Sequence, residues 1–182
     1  MTTAPPQVPY NATLRDGRAV HIRMIEAGDN ERLIAFGAAL PENDWLHAEN
    51  DLRSPEVVAR LVNARDAEHW RQIVAVAPDG AIVAYASARQ LPGRSSHVAD
   101  IQLIVDKAWR RCGLGSVMAG EIVAHARKLG VDKVFVDMVE EQTAGQAIFT
   151  RLGFKLEGRL VNHIRDRQGK PHNLVVLAHH VE

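Results

Sequence analysis

One stretch, residues 101–130 with the sequence IQLIVDKAWRRCGLGSVMAGEIVAHARKLG, constrains the fold more than any other part of the chain. An apolar, strand-like run is followed by two arginines, two closely spaced glycines and then an amphipathic helical pattern. A strand that leads through a turn into a helix leaves the first helical amides without partners, and the helix dipole makes that end electropositive. We therefore expect an anion, and phosphate above all, to bind at this turn.

The residue types around the turn support this expectation. Gly113 and Gly115 allow the main chain to approach a ligand closely, while Arg110 and Arg111 add charge that can reach phosphate oxygens. Two familiar phosphate motifs do not fit, because the Walker pattern needs a lysine directly after Gly115 and the dinucleotide fingerprint needs a third glycine where Met118 stands. The structural alternative is a glycine turn that only packs a helix against a sheet.

Composition narrows the function classes further. The 182 residues fit one domain, and 22 Lys and Arg balance 22 Asp and Glu, so no overall positive charge favours nucleic acid or anionic lipid. A single cysteine, Cys112, excludes an internal disulfide, and no Cys/His cluster indicates a metal site. We found no signal-peptide pattern and no apolar run near the roughly 18 residues of a membrane span. We expect a cytoplasmic protein with no metal, membrane or nucleic-acid partner.

The hydrophobic pattern predicts an α/β fold with a mixed sheet. Residues 1–12 are proline-rich at their start and are expected to be a flexible lead-in, with residues 13–182 forming the domain. The element order is strand, helix, helix, three strands, helix, strand, helix and two strands, and a long helical crossover gives parallel neighbours. A capping box is predicted at Thr143 and Gln146, and His163 and His172 are expected to face each other across the last hairpin.

The sequence resembles the GNAT superfamily of N-acetyltransferases, whose signature [RQ]-x-x-G-x-[GA] lies between a strand and a helix. RRCGLG, residues 110–115, matches that signature, and ADIQLIVD precedes it. FVDMVEEQTAGQAIFTRLGFKLEGRL supplies the family's next strand, helix and LGF segment, so the resemblance covers about Thr13 to the C-terminus. It implies a single-domain GNAT fold, with about seven strands in a mixed central sheet flanked by about four helices. Members of the family often pair, so the resemblance is compatible with a homodimer.

The resemblance also implies how the co-substrate acetyl-CoA binds. The diphosphate of coenzyme A would lie on the amides of the turn, and the pantetheine arm would follow the preceding strand. The binding residues implied are Leu103, Ile104, Val105, Arg110, Arg111, Cys112, Gly113, Leu114, Gly115 and Ser116, together with Gln142 and Phe149 at the next helix.

Asp100 is the candidate general base. A lysine-type amine has a pKa near ~10.4, so it is mostly protonated at neutral pH and must lose a proton before it attacks a thioester. The resemblance implies an acidic residue at this position that acts directly or through water, and the short Asp side chain favours the water-mediated route. The alternative is that Asp100 is a solvated residue on the polar face shared with Gln102.

The general acid is where the sequence departs from the family. Phe149 stands where the family usually has a tyrosine that protonates the leaving thiolate, and Gln142 stands where an asparagine commonly starts the helix. Phe149 is expected to pack against the pantetheine arm or the core, and water or no dedicated acid would then suffice. Tyr85 is the only tyrosine in the predicted core, and nothing in the sequence ties it to the site. Cys112 lies in the turn that the resemblance implies binds the diphosphate. That end of coenzyme A is far from the thioester, so Cys112 is a poor candidate for an acyl carrier.

Together these features predict an acyl-CoA-dependent N-acetyltransferase. The acetyl group would pass from acetyl-CoA to a primary amine by direct attack in a ternary complex, and the acceptor stays open between a small amine, an amino acid and a protein lysine or N-terminus. One alternative is a domain that binds acyl-CoA without catalysis, as a sensor or partner module, which Phe149 and Gln142 favour. Another is a nucleotide-binding switch protein, for which the sequence lacks a magnesium-ligand motif.

Overall fold

The computed structural model describes residues 7–181, with the main chain alone at Trp45 and His47. The strands are β1 (Tyr10–Thr13), β2 (Ala19–Met24), β3 (Trp70–Val76), β4 (Ile82–Gln90), β5 (Val98–Val105), β6 (Lys133–Val139), β7 (Lys155–Arg165) and β8 (Pro171–His180). The α-helices are α1 (Asn30–Ala39), α2 (Pro55–Asn63), α3 (Leu114–Arg127) and α4 (Thr143–Arg151), and a 3-10 segment, Glu42–His47, follows α1.

The eight strands form one mixed sheet in the order β1-β2-β3-β4-β5-β6-β8-β7, which confirms the predicted fold class with one strand more than expected. The additional strand is β1, whose first three residues fall within the predicted lead-in at residues 1–12. Residues 1–6 lie outside the described part of the chain. The first strand therefore begins three residues before the domain boundary predicted at residue 13.

Local chemistry accounts for several element ends, with one exception. Ser54 caps α2, because its Oγ accepts a hydrogen bond from the Val57 amide at 3.4 Å. The capping box predicted at α4 is wrong: Thr143 is already the first helical residue. The Gln146 side chain instead donates to the Glu140 carbonyl at 2.8 Å. Gln142 occupies the cap position of α4, and its side chain makes no capping hydrogen bond within the described part of the chain.

Helices cover both faces of the sheet and divide the core in two. On one face, α1 and α2 pack over a cluster that includes Leu33, Leu61 and Ile104. On the other face, α3 and α4 pack over a larger cluster that includes Met118 and Phe149. Because successive side chains of a strand point to opposite faces, β3 places Ile73 and Ala75 in the larger cluster and Val74 and Val76 in the other.

All neighbouring strands are antiparallel except β5 and β6, which α3 connects by a crossover. The parallel pairing is short, since it joins only Val98, Ala99 and Asp100 to Lys133, Val134 and Phe135. The later residues of β5 remain paired with β4, and those of β6 remain paired with β8. The sheet therefore opens into a gap between β5 and β6 beyond Asp100.

The last hairpin differs from the prediction in register. His172 lies opposite Ile164 rather than His163, because the β7–β8 register shifts between Leu160 and Ile164 and Asn162 adopts a φ of 52°. His172 instead contacts Asp166 and Glu141, and its hydrogen bond with Asp166 is the main cause of a raised pKa for His172. In the portion of the chain the structure describes, no helix is long and apolar enough to cross a bilayer.

Candidate active site

The turn between β5 and α3 presents a run of unused amides. Within residues 7–181, the main-chain N–H groups of residues 111–116 donate no hydrogen bond, and the first helical bond of α3 runs from the Val117 amide to the Gly113 carbonyl at 3.1 Å. Gly113 is the cap residue and provides no side-chain acceptor. Unpaired amides at the positive end of a 14-residue helix are the groups with which helix starts bind anions.

The two glycines of the turn have different reasons to be there. Gly113 has a φ of 94°, a conformation that strongly favours glycine. At Gly115 a Cβ atom would lie 3.0 Å from Cδ1 of Ile148, so the glycine lets the start of α3 approach α4 closely. Arg111 also adopts a positive φ, 60°, and its exposed side chain has no hydrogen-bond or ionic partner among the described residues.

Arg110, the first residue of the signature, is directed away from the turn. Its Nε donates to the carbonyl of Val105 at 3.0 Å, and its Nη2 forms a hydrogen-bonded ion pair with the buried carboxylate of Asp44. Asp44 belongs to the 3-10 segment after α1. Arg110 thus joins the end of β5 to that segment, whereas Arg111 is the signature arginine left free for a ligand.

The gap beside β5 exposes main-chain groups. The Asp106 amide donates to the Val83 carbonyl at 2.9 Å, so the peptide groups of alternate residues, including Ile104, face β4. Those of Leu103 and Val105 face the gap instead. Of the three strand residues predicted to hold the pantetheine arm, these two offer hydrogen-bonding groups to a ligand, while Ile104 buries its side chain in the core.

A groove of about 370 Å³ lies beside the same turn, on the side toward α4. It is lined by Thr13, Leu14, Arg15, Cys112, Gly113, Ser116, Val117, Ile148, Arg151 and Leu152. No residue of β5 or β6 lines it, so the turn separates this groove from the gap between the strands.

Asp100 stands where β5 and β6 begin to separate. It lies opposite Arg89 on β4 and beside Phe135 on β6. Its Oδ1 atom is buried and has no hydrogen-bond partner among the described atoms. Burial, with the charges of Asp137 and Glu49, raises the pKa of Asp100 to about 7, against the opposing effect of Arg89. Such a carboxylate can accept a proton near neutral pH.

Two acidic neighbours complete this part of the site, and the sequence pattern did not single out either. Burial among protein groups, followed by the charge of Glu49, raises the pKa of Asp137, although its side chain still reaches solvent. Glu49 accepts a hydrogen bond from Gln102 at 2.7 Å and lies 3.6 Å from Arg89. The polar residue within the apolar strand VFVDMV was the available signal for Asp137.

The residues considered for the role of general acid lie away from the gap between β5 and β6. Phe149 is 2% exposed and packs edge-on against Phe154 with 5.1 Å between ring centroids, so of the two places expected for it the ring occupies the core. Tyr85 is buried and donates to Gln72 at 2.8 Å. The other tyrosine of the chain, Tyr10, donates to Glu121 at 3.3 Å. Both tyrosine hydroxyls are therefore engaged outside the gap.

The remaining predicted residues have simple positions. Cys112 is buried, and its Sγ donates to the Trp109 carbonyl at 2.9 Å, which gives it a structural role in the turn. Leu114 is completely buried, and its amide donates no hydrogen bond to any described residue. Among the described side chains, no group of three or more His, Cys, Asp or Glu is arranged to hold a metal ion.

Comparison with solved structures shows the same fold in several acetyltransferases. A GNAT-family acetyltransferase from Streptococcus pneumoniae superimposes with a TM-score of 0.75 at 19% identity, covering 89% of this chain and 99% of that one. A ribosomal-protein-alanine N-acetyltransferase from Brucella melitensis gives 0.76 at 21% identity, covering 88% and 99%. A phosphinothricin acetyltransferase from Sinorhizobium meliloti, crystallised with acetyl-CoA, gives 0.75 at 17% identity, covering 89% and 88%.

Sequence comparison gives the family directly. No curated protein sequence matches the chain. The model of the acetyltransferase (GNAT) family matches residues 38–154, which include β5, the turn, α3, β6 and α4. The match covers more than half of the chain and agrees with the fold, so the chain belongs to the acetyltransferase (GNAT) family.

Proposed function

We propose that the protein is an N-acetyltransferase that uses acetyl-CoA and a primary amine. The observation that carries the proposal is the run of free amides at residues 111–116 beside an opened sheet whose entrance holds Asp100. Family membership and relatives of the same fold, one of them crystallised with acetyl-CoA, support the same conclusion.

The residues present fit coenzyme A as co-substrate. The amides of residues 111–116, which donate to no acceptor among the described residues, would bind the diphosphate. The main-chain groups of Leu103 and Val105 would hydrogen-bond the pantetheine amides in the manner of a sheet neighbour. The Arg110 side chain already donates to the Val105 carbonyl, so the Val105 amide is more available to a ligand than the Val105 carbonyl.

Asp100 would serve as the general base. When bound, the thioester supplies an activated acetyl group, and the amine attacks its carbonyl carbon once the ammonium proton has passed to the Asp100 carboxylate, directly or through water. A base is most effective when its pKa lies near the working pH, and the pKa of Asp100 is raised to about 7. A solvent-exposed aspartate, with its ordinary pKa of ~3.9, would be ionised at neutral pH but would be a much weaker base.

The thiolate would leave without a dedicated side-chain acid. Phe149 cannot donate a proton, and the hydroxyls of Tyr10 and Tyr85 are held by Glu121 and Gln72. A thiol has a pKa of roughly 8.5, so a thiolate is a tolerable leaving group and solvent can protonate it. The same features would also suit a domain that binds acyl-CoA without turning it over.

Two measurements on one preparation separate these functions. Calorimetry with coenzyme A should show binding to the wild type and to Asp100→Asn alike, since Asp100 is distant from the turn along β5. Thiol release from acetyl-CoA, screened over small amines, amino acids and lysine peptides, should occur with the wild type and fall sharply in Asp100→Asn. Binding with no turnover on any amine would favour the sensor, and absence of binding would overturn both.

A further inference from the structure

We infer that Arg15, which lies outside the signature, binds the 3′-phosphate of coenzyme A and makes the protein discriminate against dephospho-coenzyme A. The inference rests on the proposed function, since it concerns the same co-substrate. It assigns a role to the turn between β1 and β2, a part of the chain that the family match at residues 38–154 does not include.

Arg15 lies next to the signature turn. Its amide donates to the Cys112 carbonyl at 3.1 Å, which ties the β1–β2 turn to the signature turn. Its side chain then passes directly beside Gly113, where a Cβ atom would lie 3.0 Å from the Arg15 Nε. The guanidinium group therefore lies next to the signature turn although it comes from a remote part of the sequence.

The positive charge of Arg15 is not neutralised by a described neighbour. Across residues 7–181, the Arg15 side chain has no hydrogen-bond or ionic partner. Arg18, three residues further along, is engaged by Asp16 at 2.7 Å and by the Ala108 carbonyl at 3.0 Å. Arg151 lines the same groove as Arg15, and its one side-chain hydrogen bond among the described residues is to the Ala147 carbonyl at 3.2 Å. Within residues 7–181, two guanidinium groups at one groove thus lack a carboxylate partner, a charge pattern complementary to phosphate.

The size, lining and position of the groove suit the adenosine end of coenzyme A. Its volume of about 370 Å³ lies within the roughly 300–1,000 Å³ common for small-ligand sites. Val117, Ile148 and Leu152 give it an apolar wall suited to a purine ring. A ligand with its diphosphate on the turn and its acyl arm along β5 can place its other end in this groove, which adjoins the turn and is lined by no described residue of β5. In coenzyme A that end is adenosine 3′-phosphate.

The test compares two ligands that differ by one phosphate. Calorimetry should give the wild type a lower Kd for coenzyme A than for 3′-dephospho-coenzyme A. Arg15→Ala should weaken coenzyme A by at least about fivefold while it changes the dephospho ligand by less than about twofold, because an exposed charge-assisted contact is lost only with the first ligand. Arg94→Ala removes the same charge at the opposite end of β5 and should change neither Kd.

Other results of these titrations would overturn either the role of Arg15 or the proposed function. Equal Kd values of the wild type for the two ligands, or an equal loss for both in Arg15→Ala, would overturn the inference while leaving the proposed function intact. No loss in Arg15→Ala would do the same. Arg15→Gln keeps the length of the side chain, so agreement between the two variants, with unchanged thermal unfolding midpoints, excludes a distorted turn. A wild type that binds neither ligand would overturn the proposed function itself.

Discussion

Asp29 at the start of α1 and Asp100 in the gap between β5 and β6 are two aspartates largely withdrawn from water, and their surroundings are opposite. Asp29 is 1% exposed and receives two hydrogen bonds from Arg23, at 2.7 and 2.8 Å, and one from the Glu26 amide at 2.8 Å. Asp100 keeps a buried oxygen with no partner among the described residues and has two acidic neighbours instead of a paired arginine.

The difference in hydrogen bonding sets the direction of each pKa. Burial opposes the ionised form of both carboxylates. At Asp29 the hydrogen bonds from Arg23 and Glu26 outweigh burial and lower the pKa, whereas at Asp100 nothing of that strength does so and the pKa rises to about 7. The first region uses a buried charge to join strand to helix, and the second maintains an unsatisfied carboxylate at the entrance of the opened sheet. Such a group costs stability and suits proton transfer.

The largest expected effect concerns activity. Asp100→Asn should lower kcat/KM for acetyl transfer by about 10²- to 10⁴-fold, because an amide cannot take the proton from the acceptor ammonium. Thiol release at pH 8 measures the loss, and Asp66→Asn, an exposed aspartate on the surface, serves as the matched control. Turnover of Asp100→Asn equal to the wild type across the pH range would remove Asp100 as the base.

The next effect concerns stability in the other region. Asp29→Asn should lower the free energy of unfolding by about 3 kcal/mol, because it leaves the guanidinium of Arg23 buried beside a neutral partner. Urea denaturation of Asp29→Asn and wild type gives the difference. A midpoint unchanged from the wild type would mean that the Arg23–Asp29 pair contributes nothing to the junction of β2 and α1.

A smaller effect of opposite sign is expected at Asp100. An unfolded aspartate has a pKa near ~3.9, and the folded pKa of Asp100 is about 7, so ionisation of Asp100 destabilises the fold progressively as pH rises between these values. Asp100→Asn removes that cost and should be more stable than the wild type at pH 8 by at least about 1 kcal/mol.

Thermal and urea unfolding at several pH values measure this difference. It should shrink as pH falls from 8 toward 5, because the wild-type carboxyl is then protonated in the folded state too. A variant less stable than the wild type at pH 8 would show that Asp100 is satisfied in the folded protein.

The smallest effect concerns the neighbouring carboxylate. Asp137 contributes to the raised pKa of Asp100, so Asp137→Asn should lower that pKa and move the acidic limb of the kcat/KM profile toward lower pH by about half a unit. The pH dependence of thiol release measures the shift, with the exposed Glu56→Gln as control. A profile unmoved by Asp137→Asn would show that the two carboxylates do not interact across the gap.

How far the sequence could predict this molecule depends on the range of the interactions involved. The signature turn and the order of elements follow from local patterns, and the helix predicted directly after that turn is α3, which begins at Leu114. The four residues of β1 are too few to show a period. The capping box fails because α4 already includes Thr143, and the Gln146 side chain donates to the Glu140 carbonyl instead.

The site itself was predictable only in part. Asp100 and residues 111–116 lie in one continuous segment and could be identified together. Asp137 joins them because β6 pairs with β5 in the register that places Phe135 beside Asp100, and sequence alone does not give that register. Glu49 and Arg15 arrive from loops whose paths depend on the packing of the whole domain.

The pKa values of the two aspartates can be measured directly by carbon-13 NMR of protein labelled at the aspartate carboxyl carbon, with Asp100→Asn and Asp29→Asn assigning the resonances. The resonance absent from Asp100→Asn should titrate with a midpoint near 7, and the one absent from Asp29→Asn should titrate below the ordinary aspartate range. A midpoint near 4 for the Asp100 resonance would contradict the account, because the gap between β5 and β6 would then hold an ordinary, satisfied carboxylate rather than a base.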